Sequence, residues 1–332
     1  MSRRLWIGGM VSIACLLLSS QAAMAVDVPS FPRDGWVSWE VATVDAAPRW
    51  CCFDWQGKTS RQASCALDGR DHGFGNRSED DTVAQMRIYA RFEGGKLQRL
   101  RPLAVDCPVR TDSPVLALPH VSAGQSLDWL ASQVSPHGPL SGDALAALAV
   151  HRGAAAHAAV ARIASNDPDR ENRKDALFWA TQVRGAEGLA LALPRLRADP
   201  DPRVREHAAF AVAQTHAPAA IAGLIDQGRN DASAQVRSQA WFWLAQTASA
   251  GAEAPIRAAL VADKSSQVRD QAVFALSQLP EPRAVQALIH IAEDRSLARD
   301  TRKQALFWLG QSKSAAATRY LDRLLAGNAT AP

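Results

Sequence analysis

Cys51, Cys52, Cys65 and Cys107 carry the most reactive side chains of the N-terminal third. An even number of thiols in a chain bound for an oxidising compartment reads as two disulfides. Neighbours on an extended chain point to opposite faces, which disfavours a bond between Cys51 and Cys52. Each of these two is therefore expected to join one of Cys65 and Cys107, and both such connectivities stay open. A rival chemistry is a zinc site built from these thiols and His72, although the C-x-x-C pairs of such sites are missing. Another is a redox sensor, which would require a labile bond at Cys51 and Cys52. Asp71-His72 is the acid and imidazole pair to watch for proton transfer, and such neighbours are more often surface hydrogen bonds.

Other catalytic signatures are lacking. His151, His157, His216 and His290 are scattered, and Glu206-His207 occurs once. No P-loop, G-x-S-x-G elbow or H-E-x-x-H helix is present. The sequence therefore assigns no catalytic residue, no metal ligand and no cofactor.

The compartment is read from the first residues. Ser2-Arg3-Arg4 gives a positive start, residues 5–18 an apolar run, and Ala23-Met24-Ala25 a small-x-small site. This is the pattern of a secretory signal peptide cleaved after Ala25, so the expected location is periplasmic or secreted, in a bacterium. The two arginines also resemble a twin-arginine signal, which leaves the export route open. Residues before Cys15 are too few in apolar side chains for a lipoprotein box. No later stretch reaches the roughly 18 apolar residues of a membrane span. Net charge is +4, or +2 without Arg3 and Arg4, which gives no bulk attraction for nucleic acid.

Two regions differ in composition. Residues 26–115 hold the four cysteines and alternate like short strands, so they are expected to form a small disulfide-bonded β module. Val37, Trp39 and Val41 share one side of a strand over residues 35–44. Met86, Ile88, Ala90 and Phe92 alternate up to a turn at Glu93-Gly94-Gly95-Lys96, a hairpin signal. Between residues 26 and 135 there are 12 basic and 14 acidic residues, so the module is slightly acidic. Residues 116–140 read as a linker with a short helix near residues 127–131.

From residue 141 to 327 the chain repeats. NRKDALFWATQ from residue 172, VREHAAFAVAQ from 204, VRSQAWFWLAQ from 236, VRDQAVFALSQ from 268 and TRKQALFWLGQ from 301 align in register. Second helical segments lie between them, at residues 189–196, 219–225, 256–261, 285–291 and 318–325. Asp167-Pro168-Asp169, Asp199-Pro200-Asp201-Pro202, Ser233 and Ser265-Ser266 stand where helix caps belong. Stacked hairpins bury a continuous core that one hairpin lacks.

These repeats resemble the HEAT family, particularly its bilin-lyase-like subset, whose second helix reads D-P-x-V-R-x-x-A-A-x-A-L-G. Asn172-Arg173 and Thr301-Arg302 depart from its Val-Arg, and residues 141–150 resemble an eroded copy. A cysteine-bearing module ahead of such repeats looks like a group of secreted bacterial HEAT proteins. The resemblance implies a mainly α fold, a right-handed α-solenoid of HEAT-type hairpins after the β module. It also implies that Arg173, Arg205, Arg237, Arg269 and Arg302 tie each turn to its neighbours. Asp169 and Asp201, four residues earlier, are expected to pair with the first two. Some relatives are iron hydroxylases or lyases of linear tetrapyrroles, so a metal- or tetrapyrrole-dependent enzyme is the alternative class.

A 100° step per residue puts Val236, Ala240, Trp243 and Leu244 on the buried stripe, and Ser238, Phe242 and Gln246 away from it. In the HEAT family that outer face of the second helix lines the inner curved wall. Phe recurs there at 178, 210, 242, 274 and 307, and Gln at 182, 214, 246, 278 and 311. Two readings stay open: the rings pack between repeats, or Phe178, Phe210, Phe242, Phe274 and Phe307 with Gln182, Gln214, Gln246, Gln278 and Gln311 form a surface for a protein or peptide partner. Trp179, Ala211, Trp243, Ala275 and Trp308 alternate large with small, as interdigitating core layers do. The expected function is an exported interaction scaffold with a partner in the cell envelope.

Overall fold

The computed structural model describes residues 30–56, 59–69, 74–75, 78 and 81–327. The leader read in residues 1–25 and the Asp71-His72 pair lie outside the described residues.

The strands are β1 (Gly35–Pro48), β2 (Cys51–Gln56), β3 (Thr59–Ala63), β4 (Cys65–Ala66), β5 (Phe74–Gly75), β6 (Thr82–Glu93), β7 (Lys96–Ala104), β8 (Val109–Arg110) and β9 (Val115–Ala117). The main sheet has the order β7-β6-β1-β9, antiparallel except for the parallel β1–β9 pair. Gly94 and Gly95 take φ of 58° and 77° between β6 and β7, the positive values that a two-residue hairpin turn needs. Val37 stands opposite Ala90, Trp39 opposite Ile88 and Val41 opposite Met86. All six are buried on the face turned toward the helices.

The other face of this sheet is buried too. Trp36, Tyr89 and Leu103 pack under a layer that contains both disulfides. Cys51 bonds to Cys107 and Cys52 to Cys65, which selects one of the two connectivities left open by the sequence. Residues 30–110 are too few to fill two cores with aliphatic side chains alone, and the crosslinks hold the thinner layer in place.

The helices are α1 (Ala123–Gln133), α2 (Ser141–Val150), α3 (Ala154–Asn166), α4 (Arg170–Val183), α5 (Gly185–Ala198), α6 (Pro202–Ala213), α7 (Pro218–Asn230), α8 (Ala234–Gln246), α9 (Glu253–Ala262), α10 (Ser266–Ser277), α11 (Arg283–Glu293), α12 (Arg299–Gln311) and α13 (Ala315–Leu325). Consecutive helices pair as hairpins and the hairpins stack into an α-solenoid. Residues 116–140 hold the end of β9 and all of α1, which begins at a capping box of Ser122 and Gln125. Trp129 of α1 meets the ring of Trp39 at 5.4 Å and that of Phe31 at 4.8 Å. The eroded copy forms α2, in which every residue from 144 to 150 is buried. Arg152 donates to the Thr43 carbonyl at 3.0 Å, and Trp50 touches Trp179 at 5.4 Å. One apolar core thus runs from the sheet into the repeats.

Two local expectations need correction. Asp169, Asp201 and Ser233 do cap α4, α6 and α8, but Ser265 stands at the cap of α10 without a side-chain bond to the helix. On α8 the buried arc is wider than one stripe: Ser238 and Trp241 are buried, whereas Trp243 is half-buried at the rim. The reason is that α8 is covered by its hairpin partner α7 and by α6 and α10 on either side.

Candidate functional site

The repeated helices α4, α6, α8, α10 and α12 stack directly on one another, more closely than α5, α7, α9 and α11 do. The closer row is the inner side of a curved stack. Its outward positions bring the five Phe residues into one line. Phe178 and Phe210 stack at 5.8 Å with their planes 10° apart, and Phe242 and Phe274 at 5.8 Å with planes 3° apart.

The tryptophans join these pairs. Trp243 meets Phe210 at 4.8 Å and Phe242 at 4.9 Å. Trp308 meets Phe274 at 4.9 Å and Phe307 at 5.1 Å. Trp179 meets Phe178 at 4.9 Å and leads on to Trp50. Ring contacts are therefore continuous from Trp50 to Phe307. The large members of the alternating row lie half-buried in this line, while the small members, Ala211 and Ala275, are fully buried. Stacking of offset and tilted rings at 4.5–7 Å is favourable in itself.

Both readings of the Phe positions have geometric content. Phe178, Phe210, Phe242 and Phe274 pack between repeats and stay half-exposed, and Phe307 keeps 56% of its surface in solvent. Gln182, Gln214, Gln246, Gln278 and Gln311 are all exposed along one side of the rings. Three residues before each Phe runs a further row that the sequence reading missed: Asp175, His207, Gln239, Gln271 and Gln304, all half-buried. The same 32-residue register that lined up the Phe positions would have found it. Beyond this row Gln235 donates to Glu206 at 3.2 Å and Gln267 donates to Gln235 at 2.5 Å, across three successive repeats.

Little charge reaches the stripe. Burial pushes His207 down to about 4, helped by Lys174 and opposed by Glu171, so its ring is neutral at physiological pH. The arginine ladder is directed elsewhere. Arg205 grips Asp231 with two bonds of 2.7 and 3.0 Å and donates to the Asp199 carbonyl at 2.8 Å. Arg237 does the same to Asp263 and the Asp231 carbonyl, and Arg173 to Asp199 and the Asp167 carbonyl. The acids partnering these arginines come from the next repeat, 26 positions on, rather than from Asp169 and Asp201. Those two accept the Glu171 and Arg203 backbone N–H groups instead.

Residues 157–240 and 221–310 match the family model of HEAT repeats. Among solved structures, that of human deoxyhypusine hydroxylase in complex with glycerol is 21% identical, with 61% of this chain and 78% of that chain covered at a TM-score of 0.32. The complex of CpcE and CpcF of phycocyanin lyase from Nostoc sp. PCC7120 is 20% identical, with 61% and 81% covered at a TM-score of 0.33. No curated protein matches the sequence.

Proposed function

Because the helical half of this chain belongs to the HEAT-repeat family, we propose that the protein is an exported scaffold that holds an extended partner protein or peptide along its aromatic stripe. The observation that carries this reading is the unbroken line of partly exposed rings with exposed glutamines beside it. A glutamine amide offers donors and an acceptor at once, so it can bond both the C=O and the N–H of an extended backbone. The rings supply apolar area that loses little side-chain entropy on binding, because they already hold one another. The stripe carries little charge, with Asp175 at one end as the only carboxylate in the row beside the rings, which suits a neutral segment rather than a polyanion.

Export to the periplasm or beyond is part of the same proposal. It is supported by the two disulfides, which persist in oxidising compartments. Among the described residues no helix is long and apolar enough to cross a membrane. The scaffold reading calls for no catalytic residue, and purified protein is expected to be metal-free and to absorb only in its aromatic bands; a stoichiometric metal or a visible chromophore would contradict it.

The test is a cross-linked pull-down from the cell envelope with wild-type protein and a Phe178→Ser, Phe242→Ser and Phe307→Ser variant checked for native folding. A partner captured by the wild type and lost with the variant is the expected result. The same partner retained by the variant would overturn the reading.

A further inference from the structure

On the side of the outer helices, away from the stripe, the stack has a gap. α5 and α7 pack on each other, whereas α7 and α9 stand further apart. The sequence marks the place. Leu196 of α5 and Leu260 of α9 are buried, and Gly228 of α7 holds the position midway between them in the register of the repeats. Trp241 of α8 lies against Gly228, where the neighbouring repeats have Ala209 and Val273. The indole takes up part of the missing leucine's space, and a pocket of about 400 Å³ stays open beside it, between α7 and α9.

Ligand sites are commonly of this size and combine apolar walls with a few polar groups. Pro255, Ala258, Ala259 and Ala262 of α9 form one wall, Gly228 the other and Trp241 the floor. Trp241 is 1% exposed, and its indole N–H has no hydrogen-bond partner among the described residues. Nε1 is bonded to Cε2, the ring atom nearest to where a side chain at Gly228 would stand, so the unmet donor lies at the pocket wall. A buried N–H without an acceptor is costly and rare, and an indole can only donate. This points to an acceptor supplied from the pocket.

The charged groups set the sign of that acceptor. Arg237 and Asp263 at one edge are bonded to each other. The other ionisable groups of the lining are Arg229, in the last turn of α7, and Lys264, just after α9, both exposed at the rim. Such cations are ordinary on a surface, but with no second acid in the lining they make the mouth of this pocket positive.

We infer that the pocket binds a small carboxylate with an apolar body, which lies against the indole and the α9 alanines. One carboxylate oxygen accepts the Trp241 N–H, and Arg229 and Lys264 balance the charge. An ionised acceptor makes the stronger bond to that donor. A neutral apolar molecule would leave the N–H unbonded, an amine would meet two cations, and a bare inorganic anion would leave the apolar walls uncovered. None of the five ladder phenylalanines lines the pocket, so the site stands or falls separately from the stripe.

Calorimetric titration of the full chain with octanoate, 2-naphthylacetate, 2-naphthylacetamide and inorganic phosphate tests this. At least one of the two carboxylates is expected to bind with a Kd below about 1 mM, and the tighter one identifies the body as a flexible chain or a flat ring. The amide and phosphate are expected to bind at least about tenfold more weakly. An Arg229→Gln and Lys264→Gln double variant, altered only at exposed positions, is expected to lose the same factor for the carboxylate. In the ¹H–¹⁵N spectrum, the indole signal that disappears in a Trp241→Phe variant is expected to shift when the wild type is saturated with carboxylate. No binding by either carboxylate, an amide that binds as tightly as 2-naphthylacetate, a double variant that binds like wild type, or a Trp241 signal unmoved at saturation would overturn the proposal.

Discussion

His151 shows how much one polar side chain can carry at the seam between sheet and solenoid. Its ring is buried, with Nδ1 2.6 Å from the Ala147 carbonyl and Nε2 2.9 Å from the Ser126 hydroxyl, which in turn accepts from the Trp39 indole at 2.8 Å. This geometry fixes the neutral ring with its proton on Nδ1. Burial and the nearby Arg184 charge push His151 down to about 4, against the opposing pull of the Ala147 bond. The unfolded chain therefore takes up a proton near pH 6.5 that the folded chain refuses until about pH 4. The stabilisation is complete above pH 6.5 and falls by about 3 kcal/mol as pH drops through that window. Urea unfolding at several pH values, compared with His151→Gln, should show a steeper loss for the wild type; parallel profiles would refute the assignment. Trp241 is the second such residue. Residue spacing placed Trp243 in the core, but it is Trp241 that is 1% exposed, and a Cβ on Gly228 would come within 2.6 Å of its ring. Trp241→Ala is expected to cost about 3–5 kcal/mol and Gly228→Ala about 1–3 kcal/mol, whereas Phe242→Ser should shift the melting temperature far less. Equal losses for Trp241→Ala and Phe242→Ser would contradict this assignment of faces.

Among the elements, the hairpins are joined by a repeated clamp. Arg173, Arg205 and Arg237 each hold an acid at the end of the next outer helix and a carbonyl in their own turn, while that acid caps the turn through a backbone N–H two residues on. Arg269 breaks the series. It donates to the Asp263 and Lys264 carbonyls, but position 295 is arginine. Removing one member of a nearly buried, bidentate pair leaves its partner uncompensated. Arg237→Ala is therefore expected to lose about 3 kcal/mol and Arg269→Ala about 1 kcal/mol in chemical denaturation; equal losses would show that the carbonyl contact alone matters. The repeats themselves were legible because five copies in register report the same helix five times, as were the strand of Val37, Trp39 and Val41 and the hairpin at Gly94-Gly95. The clamp partners were not. An acid 26 residues away becomes a neighbour only through stacking, whereas spacing along one helix points to the nearer Asp169 and Asp201.

At the scale of the whole molecule, the β module and the first helices share one core, so they are expected to unfold together rather than as separate bodies. The 56-residue and 13-residue separations closed by Cys51–Cys107 and Cys52–Cys65 correspond to about 4 and about 3 kcal/mol of loop entropy. Reduction should therefore lower the melting temperature of the Trp39 and Trp129 region along with the module. A Trp signal there that ignores reductant would mean the two parts are independent. Composition divided the chain near residue 115 because cysteines and turn residues end there. It missed α1 as a full helix, since its Leu127, Trp129 and Leu130 are buried against a sheet that lies far away in sequence. The stripe was legible as a pattern of Phe and Gln, but its continuity, which depends on Trp243 and Trp308 reaching back to the preceding repeat, is a property of the stack. The most direct test of its role is a photo-crosslinking residue placed at Gln246 on the stripe or at Arg257 on α9, both exposed, in protein exported by living cells. The scaffold account predicts a discrete partner adduct from Gln246 and none from Arg257; equal adducts from both, or an adduct from Arg257 alone, would contradict it.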